Sequence, residues 1–134
     1  MRQMRGKRRV VIHVGLQDGD MNGNKSVAEY GMGNEFGTRN APARPFMRPA
    51  FDENITKIRQ QMNLQYQAVL GGRSTLYRAV GIIGQYHVRD IQNKISDNVP
   101  PPNSPVTIML KGSDKTLIDT GIMRASVRYV MKAY

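Results

Sequence analysis

The sequence predicts an α+β fold. A small antiparallel sheet of N-terminal and C-terminal strands packs against two long helices, and an extended proline-rich arm joins strand to helix. Three observations carry this reading. A β-branched run stands near the start, at residues 10–16, and an alternating run near the end, at residues 125–132. Two long segments repeat apolar residues at spacings of three and four. Between strand and helices, residues 42–49 hold Pro42, Pro45 and Pro49. Prolines fix φ and remove backbone donors, so an ordinary helix or a central strand is excluded there.

The chain has 134 residues, which suits one domain. We place that domain at residues 10–134, after a basic flexible arm at residues 1–9. The arm holds Arg2, Arg5, Lys7, Arg8 and Arg9 and no acid, half of the formal charge of +10. Such a charge favours DNA or an acidic partner surface and says nothing of the fold. No aromatic interleaves the arm's charges, so base stacking is not suggested. There is no cysteine, which excludes disulfides and thiolate metal sites. No apolar run reaches the ~18 residues that span a membrane. Residues 10–16 are too short and wrongly flanked for a signal peptide, so a soluble cytoplasmic product is expected.

Val10-Val11-Ile12-His13-Val14-Gly15-Leu16 is the first strand. Val10, Ile12, Val14 and Leu16 share one face, and His13 lies on the other. Next comes Asp18-Gly19-Asp20-Met21-Asn22-Gly23, with Glu29 at the twelfth position. This spelling matches a calcium loop, with oxygen ligands from Asp18, Asp20, Asn22 and Glu29. A preceding strand, a lysine at an apolar loop position and the lack of a second copy argue for the alternative. That alternative is a polar turn into a short helix at residues 26–32. No metal or other cofactor is expected. Gly31, Gly33 and Gly37 are read as breaks, with Gly33 and Gly37 at positive φ around a buried Phe36. Ala41, Arg44 and Arg48 precede prolines and are expected to be extended.

Phe51, Ile55, Ile58, Met62, Tyr66 and Val69 form the stripe of the first long helix. Pro49 suits its first turn, Asp52 and Glu53 suit its positive end, and Glu53 and Lys57 make an i,i+4 pair. Gly71-Gly72 ends it. The second helix runs over residues 74–96, with Leu76, Val80, Ile83, His87, Ile91 and Ile95 on its apolar face. His87 reads as a satisfied, partly buried histidine. Gly81 and Gly84 admit a close neighbour. A proline loop at 100–105, a helical turn at 104–110, a surface loop at 111–116 and a turn at 117–121 follow. Residues 125–132 alternate as the last strand, with Val127, Tyr129 and Met131 on one face, and this strand should pair with the first.

Nothing points to an enzyme. The two histidines are far apart, no G-x-S-x-G or H-E-x-x-H is present, and the acids lie near basic neighbours as on solvated faces.

Two segments carry a family resemblance. The first is Asn34-Glu35-Phe36-Gly37-Thr38 followed by Ala41-Pro42-Ala43-Arg44-Pro45-Phe46-Met47-Arg48. The second is Pro101-Pro102-Asn103-Ser104-Pro105, then Lys111-Gly112-Ser113, then Leu117-Ile118-Asp119-Thr120-Gly121 and Ser126-Val127. In this order they resemble the virion-morphogenesis proteins of tailed bacteriophages, the neck and tail-completion proteins of the head–tail junction. The resemblance implies a structural virion protein of the neck or upper tail. Its copies would close a ring around the DNA channel, sixfold or alternatively twelvefold. The ring would join the head connector to the tail-terminator or tail-tube proteins. Phe36, Arg44, Pro45, Phe46 and Arg48 are then expected to dock, between subunits or within the chain. Simple core burial is the other reading of Phe36 and Phe46. The alternative function is a basic nucleic-acid-binding module.

Overall fold

A computed structural model of the chain describes residues 9–22, 25–39, 42–97 and 122–134. Residues 1–8 of the expected arm, and the loops and helical turn expected over 100–121, lie outside the described residues. So does most of the second resembling segment.

Two strands at the ends of the chain form one sheet. β1 (Val10–Gly15) pairs antiparallel with β4 (Arg128–Ala133), from Val10 opposite Ala133 to Gly15 opposite Arg128. This is the predicted pairing. Two long helices also stand where the spacing puts them, α2 (Met47–Leu70) and α3 (Leu76–Ser96). Gly71 closes α2 by donating its N–H to Gln67 O, and the positive φ of Gly72 (73°) turns the chain. Thr75 opens α3, its Oγ1 accepting the Arg78 N–H at 3.3 Å.

The sheet packs on the middle of α3. A Cβ at Gly84 would overlap Ile12 Cδ1 and stand 3.0 Å from Tyr129 Cγ, so glycine is what lets the strands come this near. Gly81 faces Tyr129 and Met131, which therefore share a face as predicted. The main core lies nearer the end of α3: Val27, Phe46, Ala50, Ile91, Ile95, Met123 and Val127, flanked by Val14, Leu16, Met47, Val88 and Ile122.

Several expectations are corrected. The short helix is longer: α1 (Val27–Phe36) runs through Gly31 and Gly33. A Cβ at Gly31 would overlap Leu16 Cδ1, so the glycine leaves room for that side chain in its present position. Only Gly37 of that group takes positive φ (82°), where it caps α1 with its N–H on Gly33 O. Phe36 is 77% exposed and is not buried. The last strand begins later, because Ala125 and Ser126 belong to a short helix, α4 (Ile122–Ser126). Gln92 donates to Arg124 O, and Arg124 Nε donates to Gln92 O and Ser96 Oγ, so α4 is tethered to α3.

Glu53 and Lys57 do not pair with each other. Glu53 meets Lys94 at 2.7 Å and Lys57 meets Asp90 at 2.5 Å. A rise of four along α2 matches a fall of four along α3, so the helices are antiparallel and these pairs fix their register. Asp90 is 5% exposed, against the expectation that the acids lie on solvated faces.

Candidate docking surface

The first resembling segment is built around one carboxylate. Glu35, near the end of α1, accepts the backbone N–H groups of Phe46 (2.8 Å), Met47 (3.1 Å) and Arg48 (3.1 Å). These donors open α2, where no intrahelical acceptor exists. The N-cap residue, Phe46, supplies no side-chain cap. Glu35 does the capping from another helix, and its charge sits at the positive end of the α2 dipole. Arg44 N–H adds a bond to Asn34 O at 2.5 Å. The N-E-F-G-T and P-A-R-P-F-M-R halves are thus two sides of an intrachain clasp.

The clasp changes the expectation for Arg48. It precedes Pro49 and was expected to be extended, yet it lies in the first turn of α2. Pro49 is tolerated there because first-turn N–H groups have no helical partner to lose. Asp52 and Glu53 fall beyond that turn, and Glu35 takes the role predicted for them. Glu35 was not among the predicted site residues. One signal marks it: it is the only acid between Glu29 and Asp52, in a stretch with three arginines.

The predicted docking residues divide. Phe46 is fully buried (0% exposed) in the core, which is the core-burial alternative given for it above. Pro45 and Arg44 are half-buried beside it. Phe36 projects from the end of α1. The Arg48 side chain is exposed, 3.8 Å from Asp52.

Of the predicted DNA-contacting residues, Arg2, Arg5, Lys7 and Arg8 lie outside the described residues. Arg9 exchanges backbone hydrogen bonds with Tyr134, and its guanidinium stands 4.8 Å from the centre of the Tyr134 ring. The calcium-like stretch folds as a hairpin, β2 (Met21–Asn22) with β3 (Lys25–Ser26). Asp18 is exposed in the preceding turn, Asp20 pairs with Arg128 at 3.3 Å, and Glu29 stands in the first turn of α1. Among the described residues no three His, Asp or Glu side chains gather as a metal site.

Between α2 and α3 lies a polar inclusion formed by His87 and Asp90. His87 Nε2 and Asp90 Oδ2 are buried without a hydrogen-bond partner, which corrects the expectation of a satisfied histidine. The His87 ring leans on Phe51, with centroids 5.7 Å apart. Burial lowers the His87 pKa from its ordinary 6.5, and the Asp90 charge opposes that shift. The unfolded chain therefore takes up the proton first as pH falls. The His87 contribution is present above pH 6.5 and is lost as pH drops through the lower folded value. Urea midpoints measured from pH 7.5 to pH 5 should fall for the wild type. His87→Phe should flatten part of that slope.

Two shallow clefts flank α3. One, of about 360 Å³, is lined by Gly72, Arg73, Ser74, Thr75, Tyr77 and Arg78. The other, of about 240 Å³, is lined by Ile82, Gln85, Tyr86 and Arg89. No described helix is long and apolar enough to cross a membrane.

Apolar residues are the larger surface feature. Among the described residues, nine hydrophobic residues are buried and thirteen large ones are exposed. Scattered exposure of single apolar side chains is ordinary on a protein surface. Comparison with protein-family models, curated proteins and solved structures finds no match to the chain.

Proposed function

We propose that the chain is a structural subunit of a tailed-bacteriophage neck, made in the bacterial cytoplasm and built into the virion at the head–tail junction. Its copies close a sixfold ring that joins the head connector to the tail and surrounds the passing DNA. The carrying observation is that, among the described residues, exposed large apolar side chains outnumber buried ones, which suits a chain that finishes its burial by assembling. The resemblance of the two ordered segments supplies the place of assembly. The Glu35 clasp supports it further, since it gives the first segment a physical reason to occur as a unit. Ring subunits meet through unlike faces related by a closing rotation. A net charge of +10 suits a surface facing DNA or an acidic neighbouring ring.

Electron microscopy of the purified protein should show rings of one size, and labelled protein should map to the neck of the particle. Monomers in solution together with label elsewhere in the particle would sink this reading. The basic charge also favours a second reading, a nucleic-acid-binding module. That module would lose DNA affinity with a slope of about −0.9 per phosphate contact on a log–log salt plot, and would form no ring.

A further inference from the structure

We infer that the outer face of α3, with Arg73 at its head and Arg78 and Arg89 along it, is a contact surface for the phosphate backbone of duplex DNA. The inference rests on the reading above that this chain lies against DNA. It names a surface of the folded domain, distinct from the basic residues 2–8.

Charge is unbalanced on this part of the chain. Residues 54–89 contain Lys57, Arg59, Arg73, Arg78 and Arg89 and no acid. Lys57 is neutralised by Asp90 across the helix pair. Arg78 and Arg89 are exposed, and among the described residues neither guanidinium has an ion-pair or hydrogen-bond partner. Arg73 makes one long bond, to Gln67 O at 3.4 Å. Helical spacing gathers these charges. Residues 78, 82, 85 and 89 follow one another at steps of four, three and four and therefore share a face. Arg73 and Arg78 line the cleft at the start of α3, and Arg89 lines the next cleft with Ile82, Gln85 and Tyr86. The two clefts are thus parts of one basic track. The sheet, over Gly81 and Gly84, and α2, at Asp90, occupy other sides of the helix.

The chemistry of the track selects the occupant. From Arg78 to Arg89 is about 16 Å of helix. Over that length a duplex presents about ten phosphate charges. An arginine fork meets two phosphate oxygens at once. Tyr77, Gln85 and Tyr86 add exposed hydroxyl and amide donors, the groups that join arginine in contacts to phosphate. An acidic protein fits less well, because the centre of a protein interface is apolar and poor in charge. Ile82, half-buried, is the one aliphatic side chain in either lining.

Fluorescence anisotropy of a labelled duplex with the full chain, over a salt series, tests the proposal. Arg78→Gln combined with Arg89→Gln should weaken binding about tenfold or more. The log–log salt slope should become shallower by about 1.8, for two contacts at about 0.9 each. Arg78→Lys with Arg89→Lys keeps both charges and should keep the slope. Arg39→Gln with Lys132→Gln removes the same charge elsewhere and should leave the slope unchanged. Thermal melts of the Arg78 and Arg89 variants should match the wild type, since both side chains are exposed. The lack of cysteine makes Gln85→Cys a unique attachment point for a photo-crosslinker. Adducts with DNA are expected there, and far fewer from Asn63→Cys on α2. The proposal is overturned if the wild type binds no duplex at low salt, or if the glutamine pair binds as the wild type does. It is equally overturned if both cysteine positions crosslink alike, or if polyglutamate at equal charge displaces the duplex, which would mark an acidic protein as the occupant. Rings at the particle neck whose DNA contact survives the glutamine changes would refute this surface and leave the neck reading standing. Duplex binding through this face by a chain absent from the neck would do the reverse.

Discussion

Glu35→Ala is expected to lower the unfolding free energy by about 2–4 kcal/mol, because three backbone donors at the head of α2 lose their only acceptor. The donors belong to the start of a 24-residue helix, so nothing within the helix can replace the carboxylate. Water can reach Arg48 N–H but reaches the part-buried Phe46 and Met47 groups less well. In a chain of this size the change corresponds to a melting midpoint lower by about 10 °C. Glu35→Gln keeps one good acceptor but loses the second oxygen and the charge, and should fall between wild type and alanine. Glu29→Ala, an exposed acid on the same helix, should shift stability by no more than about 0.5 kcal/mol. Calorimetry of the three variants decides the matter. Equal melts for Glu35→Ala and Glu29→Ala would mean that the clasp does not hold α2.

Phe46→Ala should cost about 3–5 kcal/mol, the usual range for emptying a buried phenylalanine site. Phe46 is completely enclosed, and it packs near enough to Gly31 that a Cβ there would lie 3.7 Å from its ring. The surrounding helices are held by the clasp and by interhelical ion pairs, so the cavity has little room to collapse. Phe36→Ala is the contrasting change. Most of that ring faces solvent, so the monomer should keep its stability within about 0.5 kcal/mol. Its effect should appear in ring formation, read by electron microscopy under conditions where the wild type assembles. Denaturant unfolding separates the pair: a shifted midpoint for Phe46→Ala, an unshifted one for Phe36→Ala. An unshifted midpoint for Phe46→Ala would contradict its place in the core.

Those two phenylalanines show what the sequence made legible. The long helices and the pairing of the end strands follow from spacing and β-branching, because burial on one face imposes a period whatever the partner is. The sides of Tyr129 and Met131 follow for the same reason. Which of two neighbouring phenylalanines is enclosed depends on where the next helix lies, and no local period records that. Gly31 and Gly33 look like breaks in one dimension. In three, Gly31 is the place where Leu16 fits. Glu53 and Lys57 have ideal spacing on one helix, yet each finds a partner on α3, because antiparallel packing offers Lys94 and Asp90 at matching heights. The site was legible as a segment but not as a mechanism. Proline spacing and phenylalanines singled out residues 33–51, while the residue that organises them, Glu35, has no period and shows only as an isolated acid.

The sheet imposes an order of events on folding. Val10 pairs with Ala133, so almost the whole described chain separates the two strands. The α2–α3 hairpin needs only neighbours across a five-residue turn, and local contacts of that kind form quickly. During synthesis α1, α2 and α3 are complete before β4 exists, and β1 waits with an open edge. The interhelical pairs at Glu53–Lys94 and Lys57–Asp90 set the platform, and the arrival of β4 over Gly84 closes it. We expect a folding transition state that contains the helical hairpin but not the sheet, so φ-values should be high along α2 and α3 and near zero in β1 and β4.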